Sequence, residues 1–338
     1  PRGPELQITF RWTGADGIYA VRLSGDQASG IETQPAARTL LVFSDTLIGT
    51  VDPVTRARSN VKMPNQTFAL FEGNDPATLS ARFYYPGSAE PSALPLKPEE
   101  AGAWYWFGDL FSAAGRIYGF PLVLEHLEDA PAGFNFQQTG VDLAVFPVEA
   151  GLPDMKAIRI IRDAARDRLS FVQRKPKHII LYGGGVLENT AEAGASSPDG
   201  YLYIYGYLDD ARNQRLLTCA RVEPARVEDL SAWRYYTEDG TWSDRVEDSA
   251  GIVGQVSPEL SVTEIRFGPD TGKYLLTYTP GTMGDRIAVR VGESPVGPFG
   301  EEQVIFCSSA TRTLRGKAFS YNAKAHPHLS EPGTLLVS

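Results

Sequence analysis

Five acidic residues in this sequence lie where strand-like segments meet loops: Asp16, Asp45, Asp109, Glu188 and Glu259. Functional groups often occupy such positions, because the strand gives them a rigid support. When carboxyl groups are crowded together and partly buried, the pKa of one of them rises, and this group becomes a general acid. Hydrolysis of a glycosidic bond needs one carboxyl group to protonate the leaving oxygen and a second to activate water or attack the sugar. These five acids are therefore the candidate catalytic residues.

Each of the three aspartates also has a structural interpretation. Asp16 precedes Gly17, and Asp-Gly is a common turn pair, but its place at the start of a strand favours a role as base or nucleophile. Asp45 could instead cap a loop through its carboxylate. Asp109 follows the aromatic segment Trp104–Phe107. An acid among large aromatic residues is either desolvated for catalysis or paired.

The two glutamates are alternatives for one role. Glu259 follows Pro258 at the start of an alternating strand and is the candidate general acid. Glu188 ends a strand that contains three glycines, residues 183–185, and could replace Glu259 in this role. Neither a Lys-Ser/Thr pair nor a helix start follows the glycines, so they do not form a phosphate loop. They leave room for a ligand or for close strand packing.

A second group of residues could bind a sugar: Asn65, Trp104, Trp106, Lys324 and His326. The tryptophans could stack on sugar rings or pack between sheets, and Asn65 could contact hydroxyls or cap a loop. Lys324, His326 and His328 alternate and could share one strand face. Because no Cys or carboxylate motif accompanies the histidines, we expect no catalytic metal. A structural cation near His326 is possible, and the alternative for His326 is a hydrogen-bonded core residue.

Five pairs of strand-like segments repeat along the chain. Their second strands begin near residues 39, 116, 201, 273 and 334, a spacing that suits four-stranded blades with long loops. We predict an all-β, five-bladed β-propeller that forms a single domain over residues 1–338. The predicted blades are residues 13–95, 100–150, 175–235, 252–300 and 315–338, with residues 5–12 completing the last one. Residues 154–171 fit a helix or strands equally well.

The innermost strand of each propeller blade lines the central channel. When the five inner strands are aligned on their turns, Asp16, Asp109, the glycine run, Glu259 and His326 fall at equivalent positions. We therefore expect three carboxyl groups and an imidazole around one axis.

Several segments together resemble a known family: Thr13–Val21, Thr39–Gly49, Asn65–Thr67, Trp104–Asp109, Tyr201–Gly206 and Tyr321–Pro327. They resemble the five-bladed propeller family that includes bacterial endo-D-arabinanases and many uncharacterised secreted relatives. More distantly, the layout is similar to the arabinanase, fructosidase and levansucrase propellers. The resemblance covers most of the chain. It implies a glycoside hydrolase with carboxylates around the mouth of a central funnel.

Composition excludes two classes of partner. The net charge of −9 over 338 residues comes with no basic block that could neutralise phosphates, so nucleic acid is not expected. No run of about 18 apolar residues is present, so no membrane span is expected. Cys219 and Cys307 form no metal or redox spacing, and the sequence leaves open whether they pair. Without a leader segment, the sequence is interpreted as a trimmed domain of a secreted or periplasmic protein.

The function expected from these observations is hydrolysis of a furanose-rich glycan, with D-arabinan as one candidate, without a cofactor. The alternative is a non-catalytic carbohydrate-binding propeller that holds a glycan in the same pocket. A sialidase or a polysaccharide lyase is a weaker alternative. A sialidase needs an arginine cluster for the substrate carboxylate, and no inner strand supplies three arginines.

Overall fold

The structure is a computed structural model that describes residues 12–23, 38–73, 78–88, 92–128, 134–162, 168–313, 318–331 and 333–338. The described chain is all-β, as predicted. Its helical segments are short: α1 (Ser309–Thr313) and single 3₁₀ turns at Pro224–Arg226, Leu230–Ala232, Val246–Asp248 and Pro327–Leu329. Most of the predicted N-terminal strand, residues 5–11, lies outside the described residues. The helices of the described segments are all too short to cross a membrane.

The described strands of the first half of the chain number fourteen. They are β1 (Trp12–Ala15), β2 (Tyr19–Arg22), β3 (Arg38–Phe43), β4 (Thr46–Val51), β5 (Arg58–Lys62), β6 (Thr67–Glu72), β7 (Ser80–Tyr84), β8 (Trp104–Ala113), β9 (Arg116–His126), β10 (Phe136–Val141), β11 (Leu143–Phe146), β12 (Val148–Glu149), β13 (Leu152–Pro153) and β14 (Arg159–Ile161).

The second half of the chain contains the longest strand, β16, and the sheet with the most strands among the described residues. Its strands are β15 (Ser170–Arg174), β16 (Lys177–Asn189), β17 (Tyr201–Asp209), β18 (Arg215–Val222), β19 (Arg234–Tyr236), β20 (Trp242–Ser243), β21 (Leu260–Glu264), β22 (Tyr274–Tyr278), β23 (Met283–Gly284), β24 (Arg286–Gly292), β25 (Gln303–Cys307) and β26 (Ser320–Tyr321).

Four antiparallel sheets of four or more strands make up most of the described fold. Their strand orders are β2-β3-β6-β7, β8-β9 continued by β10, β11 and β14, β15 to β20 in sequence, and β21-β22-β24-β25. One strand of each sheet faces the next sheet, since β2 contacts β8, β8 contacts β16 and β16 contacts β21. These four strands are the inner strands. The described residues give four such sheets, and a count of five blades stays a prediction.

The segment 321–326 closes the circle between β21 and β2. The Ala325 amide donates to Ser261 Oγ in β21 at 3.0 Å, and Lys324 Nζ lies 4.9 Å from the ring centroid of Tyr19 in β2. Backbone hydrogen bonds join Lys324 to Ser338 in both directions. The four inner strands and this segment therefore surround one axis.

Aromatic residues fill the space between neighbouring sheets. Phe68 in β6 meets Phe107 and Phe146 edge-on, with ring centroids 5.3 and 5.5 Å apart. Phe120 in β9 packs edge-on against Trp233, and all of these rings are fully buried. Because burial of large apolar side chains is the main stabilising contribution in folding, these contacts fix the sheets relative to one another.

Glycines allow the inner strands to approach one another closely. A Cβ atom on Gly108 in β8 would lie 2.2 Å from the Gly183 carbonyl oxygen, and one on Gly184 would lie 2.3 Å from the Pro258 carbonyl oxygen. Both β8 and β16 carry a bulge at this level, where the pairing register shifts. The glycine run therefore serves close strand packing, one of its two predicted uses.

Several strand predictions can be compared directly with the structure. Four of the predicted second-strand starts, near residues 39, 116, 201 and 273, lie within one residue of the first residues of β3, β9, β17 and β22. Within residues 154–171, the described portion contains β14 and the start of β15 and no helix. The start of the first predicted blade differs, because β1 pairs with β4 in a separate three-stranded sheet of order β1-β4-β5, whereas β2 belongs to another sheet. Asp16 therefore lies between two sheets rather than inside one strand. Cys219 and Cys307 are both free thiols.

Candidate active site

A cleft of about 720 Å³ opens at one end of the ring of inner strands. Six of the residues singled out from the sequence line it: Asp16, Asp45, Asn65, Trp104, Trp106 and Glu259. The two tryptophans belong to β8. The other four residues lie in connections next to β2, β3, β6 and β21. The ring closure thus brings together acids that lie far apart in the chain.

Asp16 is held at the cleft by its backbone and by one tyrosine. Its amide donates to the Asp45 carbonyl at 3.1 Å, and the Ser44 amide donates to the Asp16 carbonyl at 3.0 Å. Gly17 follows with φ of +60°, a conformation that favours glycine, so the Asp-Gly pair forms a turn and also places the acid. The Tyr321 hydroxyl donates to Asp16 Oδ2 at 2.7 Å.

Asp45 has two hydrogen-bond donors on the same carboxyl oxygen. Trp106 Nε1 donates to Asp45 Oδ1 at 2.7 Å, and Asn65 Nδ2 donates to it at 3.0 Å. Its side chain therefore joins the connection after β3 to β8 and to the segment before β6. The loop-capping interpretation does not account for the tryptophan contact, which reaches a different sheet.

Glu259 lies deeper than Asp16 and is only 9% exposed. Asn322 Nδ2 donates to Glu259 Oε1 at 2.6 Å. Glu259 Oε2 and the Tyr19 hydroxyl are both buried and have no hydrogen-bond partner among the described residues. Asn322 adopts φ of +58°, a left-handed conformation in which Asn is enriched among the non-glycine residues.

Asp109 lies under the cleft rather than in its lining. It occupies the bulge of β8, and bulges commonly redirect a side chain next to an active site. Its Oδ2 accepts hydrogen bonds from Lys324 Nζ and from the Val186 amide, both at 2.8 Å. Asp109 is 2% exposed and Lys324 is 3% exposed. The sequence predicted that Asp109 would be either desolvated or paired. In the structure it is both buried and paired with Lys324.

The environments separate the acids electrostatically. Burial raises the pKa of Glu259 to about 8, and the nearby Asp16 adds to this increase, while the charge of Lys324 opposes it. Burial also raises the pKa of Asp16, but the hydrogen bond from Tyr321 counteracts it. Burial raises the pKa of Asp109, and Lys324 opposes that increase. Glu259 is thus the carboxyl group most suited to carry a proton at neutral pH.

Besides Asp109 and Lys324, two further predicted residues lie outside the cleft lining. Glu188 is buried and accepts a hydrogen bond from the Ser112 amide at 3.3 Å. It lines a second, much smaller cavity of about 30 Å³ together with Asp109 and Lys324. His326 is 3% exposed, and its Nε2 lies 2.8 Å from Ser338 Oγ. This arrangement matches the alternative interpretation of His326 as a hydrogen-bonded core residue. Burial lowers the pKa of His326 to about 3.

The alignment of the inner strands needs a correction in the fifth position. Asn322, four residues before His326, is the residue that reaches the cleft beside Glu259. The alternating residues Lys324 and His326 lie outside the lining of the cleft, and Lys324 lines the smaller cavity described above. Tyr19 and Tyr321 were also missed, although Tyr321 opens the motif that carries the family resemblance. The usable signal was the Tyr-Asn pair just before the alternating residues.

The remaining cleft wall is largely aromatic. Trp104 stacks at a tilt on His126, with ring centroids 4.8 Å apart, and Trp106 meets Phe136 edge-on at 4.6 Å. Arg215 is the one Arg or Lys among the described lining residues. Its guanidinium makes two hydrogen bonds with Asp209, at 2.7 and 2.8 Å, and a third with Thr282 at 3.2 Å.

The described residues contain no cluster of three or more His, Cys, Asp or Glu side chains arranged to hold a metal ion. The polar side chains of the cleft, chiefly carboxyl and amide groups on an aromatic wall, are able to bind sugar hydroxyls and to exchange protons.

Comparison with solved structures shows what the fold is similar to. A Bacteroides ovatus protein provisionally assigned as a hydrolase superposes with a TM-score of 0.60 at 16% identity, over 97% of this chain and 79% of that one. The exo-β-1,3-galactanase of Phanerochaete chrysosporium gives 0.45 at 12% identity, over 92% of this chain and 53% of that one. Bacillus subtilis levansucrase gives 0.43 at 11% identity, over 97% and 80%. This chain thus spans about half the length of the galactanase.

No curated protein sequence matches the chain significantly. The family model described as "Domain of unknown function (DUF5005)" matches residues 6–338. Since this match covers nearly the whole sequence, the chain belongs to that family.

Proposed function

We propose that this protein is a glycoside hydrolase that cleaves a furanose-containing polysaccharide or oligosaccharide. One observation carries the proposal: Glu259 and Asp16 line the same cleft, the charge of Asp16 adds to the raised pKa of Glu259, and the two acids have different environments. Pairs of acids whose surroundings separate their pKa values are typical of acid and base assignments in enzymes.

In the proposed reaction, Glu259 is the general acid. With a pKa raised to about 8 by burial, it carries a proton at neutral pH and gives it to the glycosidic oxygen as the bond to the anomeric carbon breaks. Asp16 is the base or nucleophile, and it either activates the attacking water or attacks the anomeric carbon itself. The hydrogen bond from Tyr321 favours its ionised form.

The neighbouring residues have supporting roles in this proposal. Asp45, oriented by Trp106 and Asn65, contacts the substrate. Asp109 and Lys324 act beneath the cleft as a positioning pair, because Lys324 also influences the charge of Glu259. Glu188 and His326 receive no direct role.

The finer features of the proposal rest on the family resemblance. They are a five-bladed propeller whose last blade contains residues 315–338, a location outside the cytoplasm in the secreted or periplasmic fraction, D-arabinan as a candidate substrate, and no required cofactor. Glycoside hydrolases of several specificities also stand among the structural neighbours.

The experiment is a screen of the purified protein against arabinans, fructans and galactans, with product sugars measured by chromatography. Wild type should release products, and Glu259→Gln and Asp16→Asn should release less than one-hundredth as much while still binding the same glycan. If wild type binds a glycan and never cleaves one, the alternative function, a non-catalytic carbohydrate-binding protein, is the correct one.

A further inference from the structure

The mouth of the cleft is apolar to an unusual degree for a site that contains three acids. Five large side chains of the lining are well exposed there: Met63 (59%), Phe134 (50%), Met283 (47%), Phe319 (47%) and Tyr321 (41%). We call these five residues the apolar rim. They come from four separate segments of the chain, and the ring closure gathers them at one opening. Exposed apolar groups that are gathered in this way often mark a binding surface.

The apolar rim is continuous with the candidate catalytic group. Phe134 lies against Phe319, with ring centroids 6.4 Å apart, and Phe319 lies against Tyr321 at 5.6 Å. Tyr321 in turn donates its hydroxyl hydrogen bond to Asp16. Met283 pairs with Tyr321 in the two-stranded β23-β26 ladder. A ligand bound to Asp16 would therefore be next to Tyr321 and close to Phe319 and Met283.

Charge limits what this surface can bind. Arg215 is the one Arg or Lys of the described lining, and each of its three guanidinium nitrogens already has a partner in Asp209 or Thr282. Asp16, Asp45 and Glu259 supply carboxyl groups to the same cleft. An anionic partner is therefore disfavoured, and an uncharged one fits the available groups.

The volume of the cleft leaves room for more than one small group. At about 720 Å³ it falls in the upper part of the range of roughly 300–1,000 Å³ that holds drug-sized ligands. Stacking of sugar rings is the natural use of the flat faces of Trp104 and Trp106, which lie deeper. The flexible methionines of the rim adapt to irregular apolar shapes instead.

We infer that the substrate carries an uncharged apolar group, an alkyl or aryl aglycone, next to the scissile sugar, and that the apolar rim binds this group. The inference rests on the proposed function, because it treats Asp16 as the residue at the cleaved bond. Within the proposed function, the substrate is thus a furanose-containing oligosaccharide whose cleaved bond joins the sugar to a hydrophobic aglycone.

The experiment measures binding without turnover, in a Glu259→Gln background. N-phenyl-1-naphthylamine, an uncharged probe that fluoresces in apolar sites, is titrated into the protein and then displaced by octyl or methyl α-D-arabinofuranoside. The rim variant is Phe134→Ser with Phe319→Ser. The matched control is Phe306→Ser in β25, since Phe306 is equally exposed at 55% and is not part of the cleft lining.

The expected result is probe binding that octyl glycoside displaces at a concentration at least about tenfold lower than methyl glycoside does, because more apolar surface is buried. The rim variant should lose this difference and the control should keep it. The inference is overturned if the probe does not bind, if both glycosides displace it equally, or if the rim variant behaves like wild type.

Gel filtration of the same variants tests the other possible occupant, a second copy of the chain. A dimer of wild type that the rim variant loses would overturn the inference, because the rim would then be an interface. Failure of the proposed function is a separate result: wild type would cleave no glycan or glycoside, whatever the probe shows.

Discussion

Lys324 Nζ lies 2.8 Å from Asp109 Oδ2, and both side chains are almost fully buried on the axis of the ring. The pair connects the closing segment to β8 and lies directly under the cleft floor. Removing one member of a buried ion pair leaves an uncompensated charge in a medium of low polarity. The pair therefore makes the closure of the ring and the shape of the site depend on each other.

The first prediction concerns stability. Lys324→Met should lower the free energy of unfolding by about 3–5 kcal/mol, because Asp109 would remain buried without its cation. Denaturation in urea with fluorescence detection measures this. Adding Asp109→Asn should restore part of the loss, since the amide oxygen can still accept the Val186 hydrogen bond. As a control, Lys273→Met, which breaks an exposed ion pair with Asp270 and Glu293, should change stability little. Equal losses in both variants would contradict the prediction.

The second prediction concerns the pH dependence of Glu259. Its pKa is raised from 4.5 to about 8 by burial, so the folded protein retains a proton that the unfolded chain releases above about pH 4.5. Stability should therefore decrease as the pH rises from 4.5 to 8. Glu259→Gln should remove this decrease, giving a variant more stable than wild type at pH 8 by on the order of a few kcal/mol.

Thermal unfolding at pH 4 and pH 8 gives the comparison. At pH 4 the two proteins should differ little, because the carboxyl group is then protonated in both states. A wild type that gains stability relative to the Gln variant as the pH rises would show that Glu259 is ionised in the fold. In activity assays, the rate of wild type should fall as the pH rises through about 8.

The third prediction concerns Asp16. The Tyr321 hydrogen bond lowers the pKa of Asp16 against the effect of burial, so Tyr321→Phe should raise it. The acidic limb of the pH–activity profile, which reports ionisation of Asp16, should therefore move to higher pH. The alkaline limb should not change. Tyr278→Phe is a suitable control, because its hydroxyl contacts Glu302 and Arg290 away from the cleft. An unshifted acidic side would argue against Asp16 as base or nucleophile.

The fourth prediction separates the two tryptophans. Trp106→Phe removes the hydrogen bond to Asp45, whereas Trp104 Nε1 has no partner among the described residues. We expect the KM of Trp106→Phe to rise about tenfold, consistent with a lost hydrogen bond worth about 1–1.5 kcal/mol, and that of Trp104→Phe to rise less. The measurement is steady-state kinetics on the best glycan of the screen. A larger effect at Trp104 would assign the substrate contact to ring stacking instead of to Asp45.

The fold class followed from the sequence because it depends on local patterns. Alternating apolar residues and Gly-rich turns predicted strands such as β17 and β22, and period-two alternation is a property of each strand by itself. The placement of β1 in a different sheet from β2 could not be predicted in this way. That choice depends on which distant strand offers a partner, and β4 lies more than thirty residues further along.

The sequence predicted the site residues that lie just before an inner strand, because an acid at such a position faces the channel. Asp16 and Glu259 follow that rule and meet in the cleft. Asp109 departs from it, because the bulge of β8 turns its side chain toward Val186 and Lys324, and a bulge of this kind leaves little trace in the sequence. His326 lies outside the cleft lining for a related reason. Alternation identifies a strand face, but it does not say which residue along the face stands at the mouth of the channel.

Gly184 has a consequence for engineering this protein. A methyl group at this position would press on the Pro258 carbonyl at 2.3 Å, and Pro258 immediately precedes Glu259. The position of Glu259 at the cleft is therefore set from the neighbouring inner strand β16, by the absence of a side chain at Gly184. Graded substitutions at residue 184 offer a way to adjust where the proton is delivered while every acidic and aromatic group of the cleft keeps its chemical identity.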